Sequence, residues 1–130
     1  MSEPIVFISH FRIKAGKIDG VRRQFEQGAR ALEAEKPRTL AFLSYVDPDA
    51  RAVTIIHAFG DAEAMDLHFE GAELRARAAY ELLEPDGWEI YGSPSEQALE
   101  SMRRSADSFG VTLTVKPEYV AGFLRSAPQR

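Results

Sequence analysis

Neither cysteine nor asparagine occurs in the 130 residues. Without a thiol there is no disulfide, no thiolate nucleophile, no iron–sulfur cluster and no cysteine-based zinc site. Long apolar runs are missing too: none exceeds four residues, as in Ile5 to Ile8, against the ~20 that a membrane-spanning helix needs. No membrane partner is expected. The opening Met1-Ser2-Glu3-Pro4 lacks the basic start and apolar stretch of a secretion signal, which makes a cytoplasmic location the expectation. Basic charge is in deficit, with 16 Lys and Arg against 20 Asp and Glu and a net charge of -4. Such a balance repels a phosphate backbone, so nucleic acid is not an expected partner. No G-x-G-x-x-G, phosphate-loop lysine or G-x-S-x-G is present, which removes the nucleotide-binding and serine-hydrolase readings.

What is present is the patterning of one globular domain spanning residues 1–130, with a core over 5–92 and an extension over 93–130. After Pro4, residues Ile5 to Ile8 put apolar groups on both faces of a strand that continues through Phe11 and Ile13. Ala15-Gly16-Lys17 turns the chain, and Ile18, Val21, Phe25, Ala29 and Leu32 recur at the spacing of an amphipathic helix ending before Pro37. Leu40 to Val46 and Val53 to Phe59 are strands joined by the turn residues Asp47-Pro48-Asp49-Ala50. Asp61 caps a second helix whose stripe Met65, Phe69, Ala72, Ala76, Ala79 and Leu83 is interrupted at Gly71. Pro85-Asp86-Gly87 is expected to turn the chain into a short strand, Trp88 to Tyr91. Ser93-Pro94-Ser95-Glu96 predicts a helix capped by Ser93 and closed by Gly110, followed by an alternating strand from Val111 to Val115. Residues 117–130 suit either a short helix or an edge strand.

The order β-α-β-β-α-β is that of a ferredoxin-like, split βαβ sheet of the α+β class, with strands one and three adjacent and the helices on one face. Val6 and Ile8 lie opposite in parity to Phe7 and Phe11, so apolar groups also stand on the face without helices. A self-association partner, a second copy packed sheet to sheet as a homodimer, is the simplest cover. The strand from Val111 to Val115 is the expected piece to reach across.

Two segments carry a family resemblance. Phe11-Arg12-Ile13-Lys14-Ala15-Gly16-Lys17 resembles an F-x-V-x-P-G-K strand-turn pattern, and Phe59-Gly60-Asp61 to His68 fits aromatic-x-Asp-x-x-Ala-x-x-x-His. Together they resemble the antibiotic biosynthesis monooxygenase family of the dimeric α+β barrel superfamily, over about residues 5 to 92. Neither segment is catalytic in itself, and both argue fold more than chemistry. The resemblance implies oxidation of a small aromatic, quinol or polyketide-like molecule by O₂ without flavin, metal or haem, the electron-rich substrate itself reducing oxygen. The chain also departs from the family. Ile56-His57-Ala58-Phe59 stands where many relatives carry Tyr-Glu-x-Trp, and the asparagine and axial histidine of haem-degrading relatives are absent.

The candidate proton acceptors are His57, which follows Val53 and Ile55 in strand parity, and His10, which follows Val6 and Ile8. Placed together at strand ends, an imidazole with an ordinary pKa near ~6.5 would take a proton from a bound phenol or enol. The alternative is that each histidine is a hydrogen-bonded core group. His68 matches the family's helix histidine and is the third catalytic candidate, with helix capping as its alternative. Its His68-Phe69-Glu70 context lacks the cysteine pair of a zinc deaminase. Zinc on His10, His57 and a carboxylate has no supporting spacing, so neither metal nor any other cofactor is expected. Ser9, Arg12, Ser44, Tyr45, Trp88 and Tyr91 are candidate walls of a substrate pocket, Arg12, Ser44, Trp88 and Tyr91 foremost. Arg75, Arg77, Arg103 and Arg104 read as solvated helix faces. Three functions fit these residues: an O₂-dependent oxidation, an isomerisation through an enol, or a ligand-binding or structural dimer without catalysis.

Overall fold

The computed structural model describes residues 3–125. Its elements follow as β1 (Ile5–Ile13), α1 (Ile18–Glu35), β2 (Thr39–Asp47), β3 (Ala52–Phe59), α2 (Ala62–Phe69), α3 (Ala72–Tyr80), β4 (Leu83–Tyr91), α4 (Glu96–Phe109) and β5 (Leu113–Lys116). One mixed sheet runs β2-β3-β1-β4-β5, antiparallel except for the parallel β4–β5 pair. This is the ferredoxin-like α+β arrangement that the β-α-β-β-α-β order predicts, with β1 and β3 paired at the centre. None of the described helices is long and apolar enough to cross a membrane.

Strand periodicity sorts the sheet into two unlike faces. On β1 the residues Ile5, Phe7, Ser9, Phe11 and Ile13 are buried beneath the helices, while Val6, Ile8, His10 and Arg12 point the other way. On β3, Val53, Ile55, His57 and Phe59 share the helix side. The core beneath the helices has two parts. Ile5, Phe7, Phe59, Met65, Trp88 and Ile90 form one, and Phe11, Ile13, Val21, Val53, Ile55 and Leu83 the other. The opposite face carries Val6, Ile8, Ile56, Leu43 and Tyr45, of which Leu43 and Tyr45 are exposed.

Local chemistry explains the boundaries. Asp47 accepts from the backbone N–H of Asp49 and Ala50, which fixes the β2–β3 turn. Asp61 caps α2 through its side chain, accepting from the Ala64 N–H at 2.8 Å. Gly71, at φ 79°, breaks the helical stripe into α2 and α3 as expected, a conformation that an L side chain adopts only with strain.

Three expectations are corrected. Pro85-Asp86-Gly87 is not a turn before a short strand but lies within β4, where the β1 pairing shifts register between His10 and Phe11. The missing N–H of Pro85 falls at this bulge and Gly87, at φ 127°, absorbs the distortion. The cap of α4 is Ser95 rather than Ser93. Ser95 Oγ accepts from the Ala98 N–H, whereas the Ser93 hydroxyl is taken by the carbonyl of Pro117. The last strand, starting at Leu113, pairs with β4 of its own chain instead of reaching out. From Pro117 to Arg125 there is neither helix nor strand, and the remainder of the ambiguous 117–130 stretch lies outside the described residues.

Gly92 closes β4 at φ 110°, and a Cβ there would meet the Pro4 carbonyl oxygen at 2.9 Å. Gly92→Ala is therefore expected to cost about 2 to 4 kcal/mol, read as a lower midpoint in urea unfolding with the slope unchanged.

Candidate active site

Between the sheet and the helices lies a cavity of about 910 Å³. Its floor comes from the inward residues of the sheet, Phe7, Ser9, Phe11, Ile55, His57 and Trp88, and its roof from all four helices. The cavity follows from the sequence of the broken helix. The stripe that faces the sheet continues past Gly71 as Ala72, Ala76 and Ala79, side chains too short to fill the gap between the two parts of the core. Small-molecule sites have this character, mostly apolar and aromatic with a few placed polar groups.

Two of those polar groups are histidines. His57 is buried, and its Nδ1 lies 3.1 Å from the carbonyl oxygen of Phe7. A carbonyl only accepts, so Nδ1 carries the proton and Nε2 keeps its lone pair in the neutral ring. The ring is held by Phe7 at 5.1 Å and by Phe42, edge-on, at 5.2 Å between centroids. His68, on α2, stands 5.1 Å from His57 in a T-shaped arrangement, and its Nδ1 is hydrogen-bonded to the Thr39 hydroxyl at 2.8 Å. Burial pushes His57 down to about 4, with the Phe7 carbonyl opposing and the charge of Arg75 adding to the shift. Burial likewise pushes His68 down to about 3, helped by His57, Arg75 and Lys36. Both rings are neutral at pH 7.

The candidate residues fall on two sides of the sheet. His57, His68 and Trp88 line the large cavity. Ser44 lines a smaller one of about 310 Å³ between α1 and β2, with its hydroxyl buried and without a hydrogen-bond partner among the described residues. His10, Arg12 and Tyr91 stand on the face without helices, and the expected meeting of His10 with His57 does not occur. The reason is the antiparallel register: Phe7 pairs with His57 and His10 with Thr54, so the two imidazoles differ in both face and position along the strands. On its own face, His10 is hydrogen-bonded to Glu89, which also accepts from the Tyr91 hydroxyl. Tyr91 and His10 together hold the Glu89 carboxyl below the usual carboxylate range. Arg12 pairs with Asp86 at 2.5 Å and with Glu84.

Residues that sequence reasoning passed over complete the cavity. Gln24 enters from α1 with a buried Oε1 that has no hydrogen-bond partner among the described residues. Arg75, read from the sequence as a solvated residue, is half-buried and lines the same space, donating to the carbonyl oxygen of His68 at 2.6 Å. The Gly71 break was the available signal, because it changes which residues of the following turn look inward. Among the described residues, no group of three or more His, Asp or Glu is placed to hold a metal ion.

No protein-family profile and no curated protein matches the sequence. Solved structures do match. MupZ from Pseudomonas fluorescens superposes with a TM-score of 0.71 at 14% identity, covering 98% of this chain and all of that one. SnoaB from Streptomyces nogalater, described as a cofactor-independent oxygenase, gives 0.58 at 15% identity over 72% of this chain and 96% of its own. A candidate antibiotic biosynthesis monooxygenase from Chloroflexus aurantiacus gives 0.56 at 16% identity, covering 68% and 90%. The fold is that of the antibiotic biosynthesis monooxygenases. At such identities the likeness concerns the monooxygenase fold and not the reaction, which is argued from the site. The match to MupZ is long enough to take in α4 and β5 as well.

Proposed function

We propose that this protein is a cofactor-independent monooxygenase acting on a small aromatic, quinol or polyketide-like substrate. The observation that carries the reading is the Nε2 lone pair of His57, set by the Nδ1 bond to Phe7 in an aromatic-walled cavity of about 910 Å³. SnoaB, which shares the fold, is a cofactor-independent oxygenase, and the same chemistry is open to a bound, enolisable ring. His57 takes the proton from the enol or from the acidic ring carbon. The resulting carbanion reduces O₂, a carbon–oxygen bond forms, and the imidazolium returns its proton to the distal peroxide oxygen. Loss of water then leaves a ketone, so that CH₂ and O₂ become C=O and H₂O. Phe7, Phe42 and Trp88 give the carbanion apolar, aromatic walls, and the Arg75 charge offsets the cost of forming an anion there. Oxygen uptake with a panel of quinols and anthrones tests the reading. Uptake by none of them, with ligand-induced rises in melting temperature instead, would favour a binding protein.

The proposal extends to a homodimer that covers the open face of the sheet. Val6, Ile8 and Ile56 are half-buried there beside exposed Leu43 and Tyr45, an apolar surface that a monomer seldom leaves in water. Sedimentation at micromolar concentration is expected to give a dimer for the natural sequence and a monomer or aggregate for Ile8→Asp. A folded wild-type monomer would remove this part of the proposal.

A further inference from the structure

Among the described residues Arg75 is the one arginine that is not exposed; Arg23, Arg30, Arg51, Arg77 and Arg103 also lack a carboxylate partner but stand in solvent. Arg12, Arg22, Arg38 and Arg104 each have a carboxylate within ion-pair distance. Arg75 is half-buried, and among the described residues its hydrogen-bond partners are the backbone carbonyls of His68 at 2.6 Å and Glu70 at 3.5 Å. Those carbonyls end α2 and engage one N–H firmly and a second at the limit of a hydrogen bond. A guanidinium has five donors, so three of them have no protein partner among the described residues. Loss of water around Arg75 lowers its pKa, with Glu35 of α1 opposing at longer range. Its field reaches both cavity histidines. The acids near the cavity do not neutralise it by contact: Asp66 accepts the Ser95 hydroxyl, and Glu70 and Glu73 are exposed. A partly desolvated cation beside two neutral imidazoles makes this end of an apolar cavity selective in sign.

We infer that the cavity selects an organic anion, an aromatic carboxylate whose oxidisable carbon still carries its proton, and that Arg75 is the specificity-determining residue that receives its negative oxygen. The inference deepens the proposed function and rests on the reading of this cavity as the ligand site. It also narrows the substrate class. The planar fork of Arg75 fits the two oxygens of a carboxylate.

The test compares 1-naphthoate with its neutral isostere 1-naphthamide by calorimetric titration of the full chain at pH 7.5. The expected result is about 10- to 100-fold tighter binding of the naphthoate, the range for one charge-assisted hydrogen bond. Arg75→Gln is expected to abolish the preference. Arg75→Lys keeps the charge without the fork and is expected to keep part of the preference. If Arg75 served only to cap α2, its replacement would lower stability and leave the anion preference in place. Equal binding of the two probes to the wild type, or a preference that survives Arg75→Gln, overturns the inference while the cavity remains a ligand site. Binding of neither probe overturns the inference and the ligand-site reading together. Should Arg75→Gln not fold, the wild-type comparison and Arg75→Lys still decide.

Discussion

Replacing His57 by glutamine is expected to lower oxygen-dependent turnover of an accepted quinol or anthrone by ~10² to 10⁴-fold, the range for losing one positioned proton acceptor. Glutamine has an N–H to offer the Phe7 carbonyl but no basic nitrogen to replace Nε2. The orientation of the ring comes from structure unrelated to catalysis, namely the Nδ1 bond to Phe7 and the rings of Phe7 and Phe42 at 5.1 and 5.2 Å. His57→Ala is the harsher variant, because it removes a buried ring together with its hydrogen bond to Phe7, and it costs on the order of 1 to 3 kcal/mol. Melting and oxygen uptake measured on the same sample separate the two effects. Turnover that falls only as far as the folded fraction falls would make His57 a core hydrogen-bonding group. Normal turnover by a folded His57→Gln protein would end its role as proton acceptor. His10→Ala provides the contrast: His10 sits on the far side of the sheet, bonded to Glu89, and its loss is expected to leave turnover unchanged.

That contrast shows where the sequence was legible. Period-two alternation along Ile5 to Ile13 and Val53 to Phe59 assigned both strands, and the β-α-β-β-α-β order implied their adjacency, because short-range patterning and topology rules determine both. The relative position of His10 and His57 depends on register as well. Antiparallel pairing places the end of one strand against the start of the other, so two histidines late in their strands are separated by the fold. The bulge at Pro85 to Gly87 was hidden for a related reason. Proline, aspartate and glycine mark a turn when read alone, and only the pairing partner on β1 shows that the strand runs through. Arg75 was missed because the direction of a side chain after a helix break is set by the break's geometry, and composition records only that acids lie nearby. The cavity itself was latent in the small residues of the Ala72, Ala76, Ala79 stripe, whose volume is readable even when the packing around it is not.

Acid should destabilise the protein well before its carboxylates titrate. His57 and His68 have folded pKa values of about 4 and about 3, whereas an unfolded imidazole binds its proton near ~6.5. Below that value the unfolded chain gains protons that the native state refuses, so stability falls as the pH drops. The contribution is fully present above pH ~6.5, declines through the interval down to the folded values, and is spent below them. Between pH 7 and 5 each histidine is expected to account for about 2 kcal/mol, a large share of the ~5 to 15 kcal/mol that holds a domain of this size folded. The main cause is burial, so the effect is expected to persist in 1 M salt, where the contributions of Arg75 and Lys36 are largely screened. Urea titrations at pH 7, 6 and 5 measure it. His57→Gln should flatten the profile by roughly one histidine's share even if it lowers stability at pH 7, since glutamine does not titrate in this range. A wild-type stability that stays level from pH 7 to 5 would mean that the cavity imidazoles protonate as readily in the folded protein as in water, and the neutral proton acceptor at the centre of the proposed mechanism would be lost with it.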